Sequence, residues 1–218
     1  MQSLQGVSKQ HMNIPRILVP RWTGLVCVCL LLLAGCGNGP PPKMYLLEPF
    51  TDVDGVLDAS SPQKSLGSLG ISTVVLPGYA NDVEIATLEA DGTVLQEDRH
   101  RWAEEPSDAM TRVLAERLRK RALATVLIEP WPRDYDPRAR VEVVFDRLLR
   151  EPLGGVDMAG NIYLLSGDGR RLLTSLAFEF VRFGRDTDRR VFFLAVADGI
   201  DDIATMAVQA MLELDIKS

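Results

Sequence analysis

The chain has 218 residues, of which 46% are hydrophobic and 25% charged, and its formal net charge is −6 at pH 7. This length is enough for one domain with a substantial apolar core. The excess of acidic residues argues against nucleic acid as a partner and against a basic grip on anionic lipid, because both require positive charge.

The N-terminal segment has the layout of a secretory signal peptide. Arg16 and Arg21 precede ten apolar residues at positions 25–34, a run too short for a membrane span, which needs roughly 20 residues. Both Met1 and Met12 fit as the start of translation, and with Met12 the first eleven residues are not part of the protein. The sequence therefore predicts a lipoprotein signal peptide over 1–35, which is excluded from the fold.

The leader ends in Leu33-Ala34-Gly35-Cys36, which resembles the lipobox of bacterial lipoproteins. The resemblance implies cleavage before Cys36 and covalent attachment of acyl chains, palmitate among them, to that residue. Gly37 follows, and the absence of an aspartate there favours the outer membrane over the inner one. The expected product is a lipid-anchored protein that faces the periplasm.

The mature chain, residues 36–218, has 21 basic and 30 acidic residues and a single histidine, His100. Since Cys27 and Cys29 leave with the leader and Cys36 carries lipid, no thiol remains for a disulfide, a nucleophile or a zinc site. His100 lies in a polar segment and is predicted to be a surface residue. We expect no cofactor and no metal.

Two groups of acidic residues have both a functional and a structural interpretation. Asp198, Asp201 and Asp202 could bind a cation, and Glu104-Glu105 could act as paired carboxylates. Neighbours in sequence rarely converge on one reacting atom, and acidic residues on a terminal helix usually form a solvated face. The sequence favours the structural interpretation for both groups, and the protein is predicted not to be an enzyme.

The mature chain begins with a lipid anchor and a Gly/Pro spacer over 36–43, followed by a domain over 44–218. A first strand starts at Met44 and ends at Pro49, and residues 50–69, rich in Asp, Gly, Ser and Pro, are predicted to form a long loop. A second strand, rich in β-branched residues, covers 70–77.

A hairpin and a helix follow. Asp91-Gly92 predicts the tight turn between strands at 83–88 and 93–97, because both residues tolerate positive φ. Apolar residues at three- and four-residue steps predict a helix over 108–123 with Ser107 as its N-cap.

The second half reads as strands and a final helix. A core strand at 125–129 precedes three strands of a meander at 140–148, 156–165 and 171–182, with Ser166-Gly167-Asp168-Gly169 as a turn. Asp188 is the predicted start of an amphipathic C-terminal helix, and Gly199 allows a break near Asp198. Six or seven strands and two helices predict an α+β fold, a two-layer sandwich of a mostly antiparallel sheet with both main helices on one face.

The order of segments resembles a known family. The residues that carry the resemblance are the lipobox, Tyr45-Leu46-Leu47, Val74-Val75-Leu76-Pro77-Gly78-Tyr79, Arg101-Trp102-Ala103-Glu104, the segment 112–118 and Pro130-Trp131. Together they are similar to the ABC-type transport auxiliary lipoproteins, the PqiC-like family. Glu105 stands before Pro106 where the family has Trp-Ala-Glu-Pro, and Ala80-Asn81-Asp82 replaces a common Leu-Asp-Arg after Tyr79.

The resemblance implies a function in lipid transport between the inner and outer membranes, and so in membrane integrity. The lipoprotein would be a non-catalytic docking component for an MCE-domain protein and inner-membrane transporter components, and homo-oligomers are an associated expectation. A different class, an assembly or plug lipoprotein for outer-membrane lipopolysaccharide or protein machinery, remains the alternative. Trp102, Trp131 and Tyr79 are candidates for the partner interface; for the two tryptophans, core packing is the competing interpretation.

Overall fold

A computed structural model describes residues 40–48, 65–183 and 188–214. The predicted signal peptide, Cys36 and most of the predicted loop over 50–69 lie outside the described residues. The described part contains eight strands and two long helices. The strands are β1 Lys43–Tyr45, β2 Ser68–Ile71, β3 Glu84–Leu88, β4 Val94–Trp102, β5 Thr125–Ile128, β6 Ala139–Arg150, β7 Gly155–Ser166 and β8 Leu172–Phe183.

All eight strands form one mixed sheet, in which β6 is the branch point. One edge of β6 pairs with β7 in antiparallel orientation along its whole length, and β7 pairs with β8 in the same way. The other edge is shared, because β2 pairs in parallel near Ala139 and β3 pairs in parallel at Arg150. The predicted α+β sandwich is confirmed.

The predicted hairpins are confirmed. Strands β3 and β4 are antiparallel around Gly92, which has a φ of 85°, and β7 and β8 are joined by a turn in which Gly169 has a φ of 72°. The predicted alternation in β6 is also present, since Val141, Val143 and Phe145 are all buried. The sheet also contains parallel pairs, which the sequence did not specify. Strand β1 pairs with β4, and β2 pairs with β5 and β6.

Helix α1 covers Pro106–Ala122. The prediction of Ser107 as its N-cap is wrong: the N-cap is Glu105, whose side chain makes no capping hydrogen bond. Pro106 occupies the first turn, where the missing amide proton costs nothing and the fixed φ favours the helix. The helix ends where Leu123 takes a left-handed conformation, with a φ of 46°.

Helix α2 covers Arg189–Glu213, and the predicted cap is confirmed because the Asp188 side chain accepts a hydrogen bond from the Arg190 amide. The helix is continuous through Gly199, so the break that the sequence allowed near Asp198 does not occur. A Cβ at Gly199 would lie 2.6 Å from the sulfur of Met158 on β7. Glycine therefore lets the helix approach the sheet closely, which outweighs its poor helix propensity.

Both helices pack against each other and against the sheet, α1 on β5 and α2 on β7 and β8. The acidic residues of α2 lie in these contacts. Asp201 pairs with Arg117 and Arg121 of α1, and Asp202 pairs with Arg182 of β8. The Asp201 and Asp202 carboxylates thus join the helices and the sheet instead of forming a free acidic face.

Candidate functional site

Trp102, one of the three candidate interface residues, lies inside the domain. Its side chain is only 3% exposed and contacts the rings of Phe192 and Phe193 edge to face, at centroid distances of 5.9 and 4.7 Å. Tyr45 stacks on the outer side of Phe193 at 5.1 Å. Trp102 therefore has the core-packing role, because its ring packs the first turn of α2 against the end of β4.

His100 is tied to the edge strand β1. The Tyr45 hydroxyl lies 2.9 Å from Nδ1 of His100, and Lys43 is the register partner of His100. Burial, followed by the nearby Arg189 charge, lowers the pKa of His100, and burial, followed by Asp188, raises the pKa of Tyr45. Both shifts favour the uncharged forms at neutral pH, and the hydroxyl and the neutral imidazole share one hydrogen bond. The histidine is half-buried, not a simple surface residue.

A buried charge cluster lies beside His100. Glu97, with a side chain 8% exposed, accepts a hydrogen bond from the Thr87 hydroxyl at 2.9 Å and from Arg189 Nε at 2.8 Å. Nη1 of Arg150, whose side chain is 4% exposed, lies 3.5 Å from the same carboxylate. The cluster joins β3, β4, β6 and the first turn of α2 at one point of the fold.

Two open cavities flank this region. One of about 650 Å³ is lined by Lys43, Tyr45, His100 and the first turn of α2, and another of about 620 Å³ is lined by Glu97, Arg150 and the β3–β4 hairpin. The first cavity contains the Tyr45–His100 pair, and the second contains the Glu97 and Arg150 charges. Among the described residues, no group of three histidine, cysteine or acidic side chains could hold a metal ion.

Trp131 lies on the face of the sheet away from the helices. A Cβ on Gly70 would approach the indole to within 2.7 Å, so the ring covers the β2 backbone between the core residues Leu69 and Ile71. The Arg140 guanidinium lies 4.9 Å from the ring centre. The side chain remains partly exposed, and it combines a packing contact with an accessible surface.

Tyr79 occupies a short 3-10 helix, Gly78–Ala80, and its ring packs on the margin of the core while remaining partly exposed. The structure therefore separates the three interface candidates: Trp102 is internal, whereas Trp131 and Tyr79 retain accessible surface. Glu104 pairs with Arg112 of α1, and Glu105 is an exposed N-cap. These two neighbours do not act on a common point.

The model of the family described as ABC-type transport auxiliary lipoprotein component matches residues 46–207. The chain belongs to this family. No curated protein matches the chain. The family is a transport auxiliary component and not a class of enzyme, and it is membrane-associated as a lipoprotein. Neither helix of the described part is long and apolar enough to cross a membrane.

Solved structures share the fold of this family member at low sequence identity. A crystallised uncharacterized protein superimposes with a TM-score of 0.62 and 13% identity, covering 79% of this chain and 99% of its own. Protein XCC0632 from Xanthomonas campestris gives a TM-score of 0.60 and 14% identity, covering 80% and 94%. The fold is therefore shared over about four-fifths of this chain and over nearly the full length of the two solved proteins.

Proposed function

We propose that this auxiliary lipoprotein is a lipid-anchored, non-catalytic docking component of an ABC/MCE-type system that moves lipids between the inner and outer membranes. The observation that carries the proposal is the family match over residues 46–207, which begins ten positions after the lipobox cysteine Cys36. Acyl chains on Cys36 hold the domain at the outer membrane, facing the periplasm, where it meets an MCE-domain protein and its inner-membrane partners.

Non-catalytic docking is supported by what the polar residues of the described part do. His100 and Tyr45 hydrogen-bond to each other, and Glu97 is surrounded by Thr87, Arg150 and Arg189. Each group is committed to joining elements of the fold. The two cavities beside them are open to solvent.

We assign the partner contact to Trp131 and Tyr79, the two candidates that retain accessible surface. Trp131 covers β2 at Gly70, below Arg140 at the start of β6, and lies beside the exposed residues Pro132 and Arg133. A partly buried tryptophan under an arginine is a preorganised anchor, because its rotamer is already fixed before a partner arrives. Tyr79 offers a second ring on a short helix at the margin of the core.

Photo-crosslinking in cells tests the proposal. A crosslinking residue at position 133 or 79 of the full-length lipoprotein should capture an MCE-domain protein, identified by mass spectrometry. The matched control is position 212, an exposed site on the far end of α2, which should capture much less. Capture of an outer-membrane β-barrel of lipopolysaccharide or protein assembly, with no MCE-domain protein, would favour the alternative function and contradict the proposal.

A further inference from the structure

One row of backbone positions crosses five strands at one end of the sheet. Leu95 of β4 pairs with Thr87, Thr87 with Arg150, Arg150 with Val156, and Val156 with Arg182. At a strand spacing of about 4.8 Å, this row is about 19 Å wide. The β3–β4 turn, the β6–β7 turn and the last residue of β8 lie just beyond it, and we call this the turn end of the sheet.

Exposed apolar side chains gather at the turn end. Of the thirteen large apolar residues that are exposed in the described part, five lie within two positions of the row or in its turns. Leu153 and Phe183 are 73% and 77% exposed, the two highest values of that set. The five residues are Val94, Leu95, Leu153, Val181 and Phe183. Concentrated exposure of this kind marks a contact surface.

The direction of β1 relates this surface to the lipid anchor. Because β1 is parallel to β4, with Lys43 opposite His100, the chain before Lys43 comes from the turn end. Pro40, Pro41 and Pro42 favour an extended, stiff approach. Seven residue steps separate Cys36 from Lys43, and seven separate Thr93 in the β3–β4 turn from His100. A spacer of seven residues is therefore long enough, when extended, to span the distance from Lys43 to the turn end.

We infer that the turn end of the sheet rests on the phospholipid bilayer that holds the Cys36 acyl chains. This inference builds on the anchor in the proposed function. A spacer of about 23 Å keeps the anchor within reach of Leu153 and Phe183, so the bilayer is the apolar surface that these residues meet first. The domain then stands with β6, β7 and β8 directed away from the membrane and with Trp131 at the far end, open to the periplasm.

The charges at the turn end define the kind of contact. Glu89 and Asp91 of the β3–β4 turn are acidic and exposed, so attraction to anionic headgroups does not hold the surface down. The contact is apolar and shallow, at the level of the headgroups and the first methylene groups. It therefore forms on neutral phospholipid and persists in high salt.

Single-cysteine fluorescence measures the contact. The mature chain has no cysteine after Cys36, so L153C and F183C each provide one site for an environment-sensitive fluorophore on the full-length lipoprotein. The protein is reconstituted in neutral phosphatidylcholine vesicles, and quenching by spin-labelled lipid is compared with quenching by aqueous iodide. Both positions should be quenched at least about twofold by the lipid and be protected from iodide, as expected at an interface.

L172C is the matched control. Leu172 lies on the same strand as Phe183 and is also exposed, at 54% against 77%, but it is about 36 Å away along β8. Its fluorophore should respond to iodide and hardly to spin-labelled lipid. In a second set, L153D and F183D together should abolish lipid quenching of a probe at V94C, whereas L172D should leave it unchanged.

The outcomes separate this inference from the proposed function. Protein that floats with the vesicles while positions 153 and 183 stay open to iodide overturns the membrane contact and leaves the anchor intact. Protein that does not float overturns both. Loss of crosslinking to an MCE-domain protein, with lipid quenching retained, removes the transport partner and keeps the orientation.

Discussion

The hydroxyl of Tyr45 lies 2.9 Å from Nδ1 of His100, and this contact fastens the edge strand β1 onto the sheet. The two residues are 55 positions apart, and the strands that carry them run in parallel. Because the imidazole is half-buried and close to Arg189, which lower its pKa, the neutral form is the one that fits the fold.

The stability of the mature domain should depend on pH through His100. Its folded pKa lies below the ordinary histidine value of 6.5, so above 6.5 neither state is protonated and the fold is at full stability. As the pH falls below 6.5 and then through the folded pKa, the unfolded state binds the proton more readily and stability is lost. Urea unfolding from pH 7.5 to 5 should show this decline.

His100→Gln and Tyr45→Phe are the two comparison variants for that experiment. The glutamine variant should lose this part of the pH dependence, because His100 is the only histidine after the predicted cleavage site. Tyr45→Phe removes the hydrogen bond and should lower the free energy of unfolding by about 1 kcal/mol at pH 7.5. An unchanged slope in the glutamine variant would assign the pH dependence to other groups.

Glu97→Gln should be strongly destabilising. The substitution removes the carboxylate that faces Arg150 and Arg189, and the Arg150 side chain is only 4% exposed. Removing one charged partner from a buried cluster lowers the free energy of unfolding by about 3 kcal/mol, because the remaining charges are left uncompensated. The matched control is Glu179→Gln, which pairs with Arg147 but is 70% exposed and should change the free energy by less than about 1 kcal/mol. Equal effects would mean that burial does not decide the cost.

Gly70→Ala tests the packing of Trp131 on β2. The added methyl group would lie 2.7 Å from Cη2 and 3.0 Å from Cζ3 of the indole, so the ring must move. We expect a loss of about 2 kcal/mol and a change in tryptophan emission. Gly78→Ala is the control, because a Cβ there meets nothing within 4 Å. If both variants behave like the wild type, Trp131 is not packed on β2.

Cys36→Ser tests the lipid anchor. Cells fed an alkyne-tagged fatty acid should label the wild-type protein and not the serine variant, since Cys36 is the only cysteine that remains after cleavage. Intact-mass measurement of the wild type should give a chain that starts at residue 36 with attached acyl groups. Label on the serine variant, or a mature chain that starts elsewhere, would contradict the lipobox prediction.

Local patterns predicted most of the elements. The alternation at Val141, Val143 and Phe145 reports a half-buried strand, and the turns at Gly92 and Gly169 are short-range signals. The cap at Asp188 is a contact of two residues along the chain. Such features depend on near neighbours, and the sequence contains them directly.

The contacts that could not be predicted from the sequence depend on parallel pairing of strands. The Tyr45–His100 contact and the convergence of Glu97, Arg150 and Arg189 require β1 to pair with β4 and β3 to meet β6. Parallel strands are joined by long connections that leave no local signature. Ser107 failed as a cap because Pro106 already suits the first helical position, one residue earlier.

Pairing of β1 with β4 also sets the length of the spacer between Cys36 and the folded domain. With Lys43 held on the sheet by Tyr45 and by the buried Leu47, only seven residue steps separate the domain from Cys36, or about 23 Å of contour. The pairing of this three-residue strand thus limits how far the folded domain can lie from a lipid attached to Cys36.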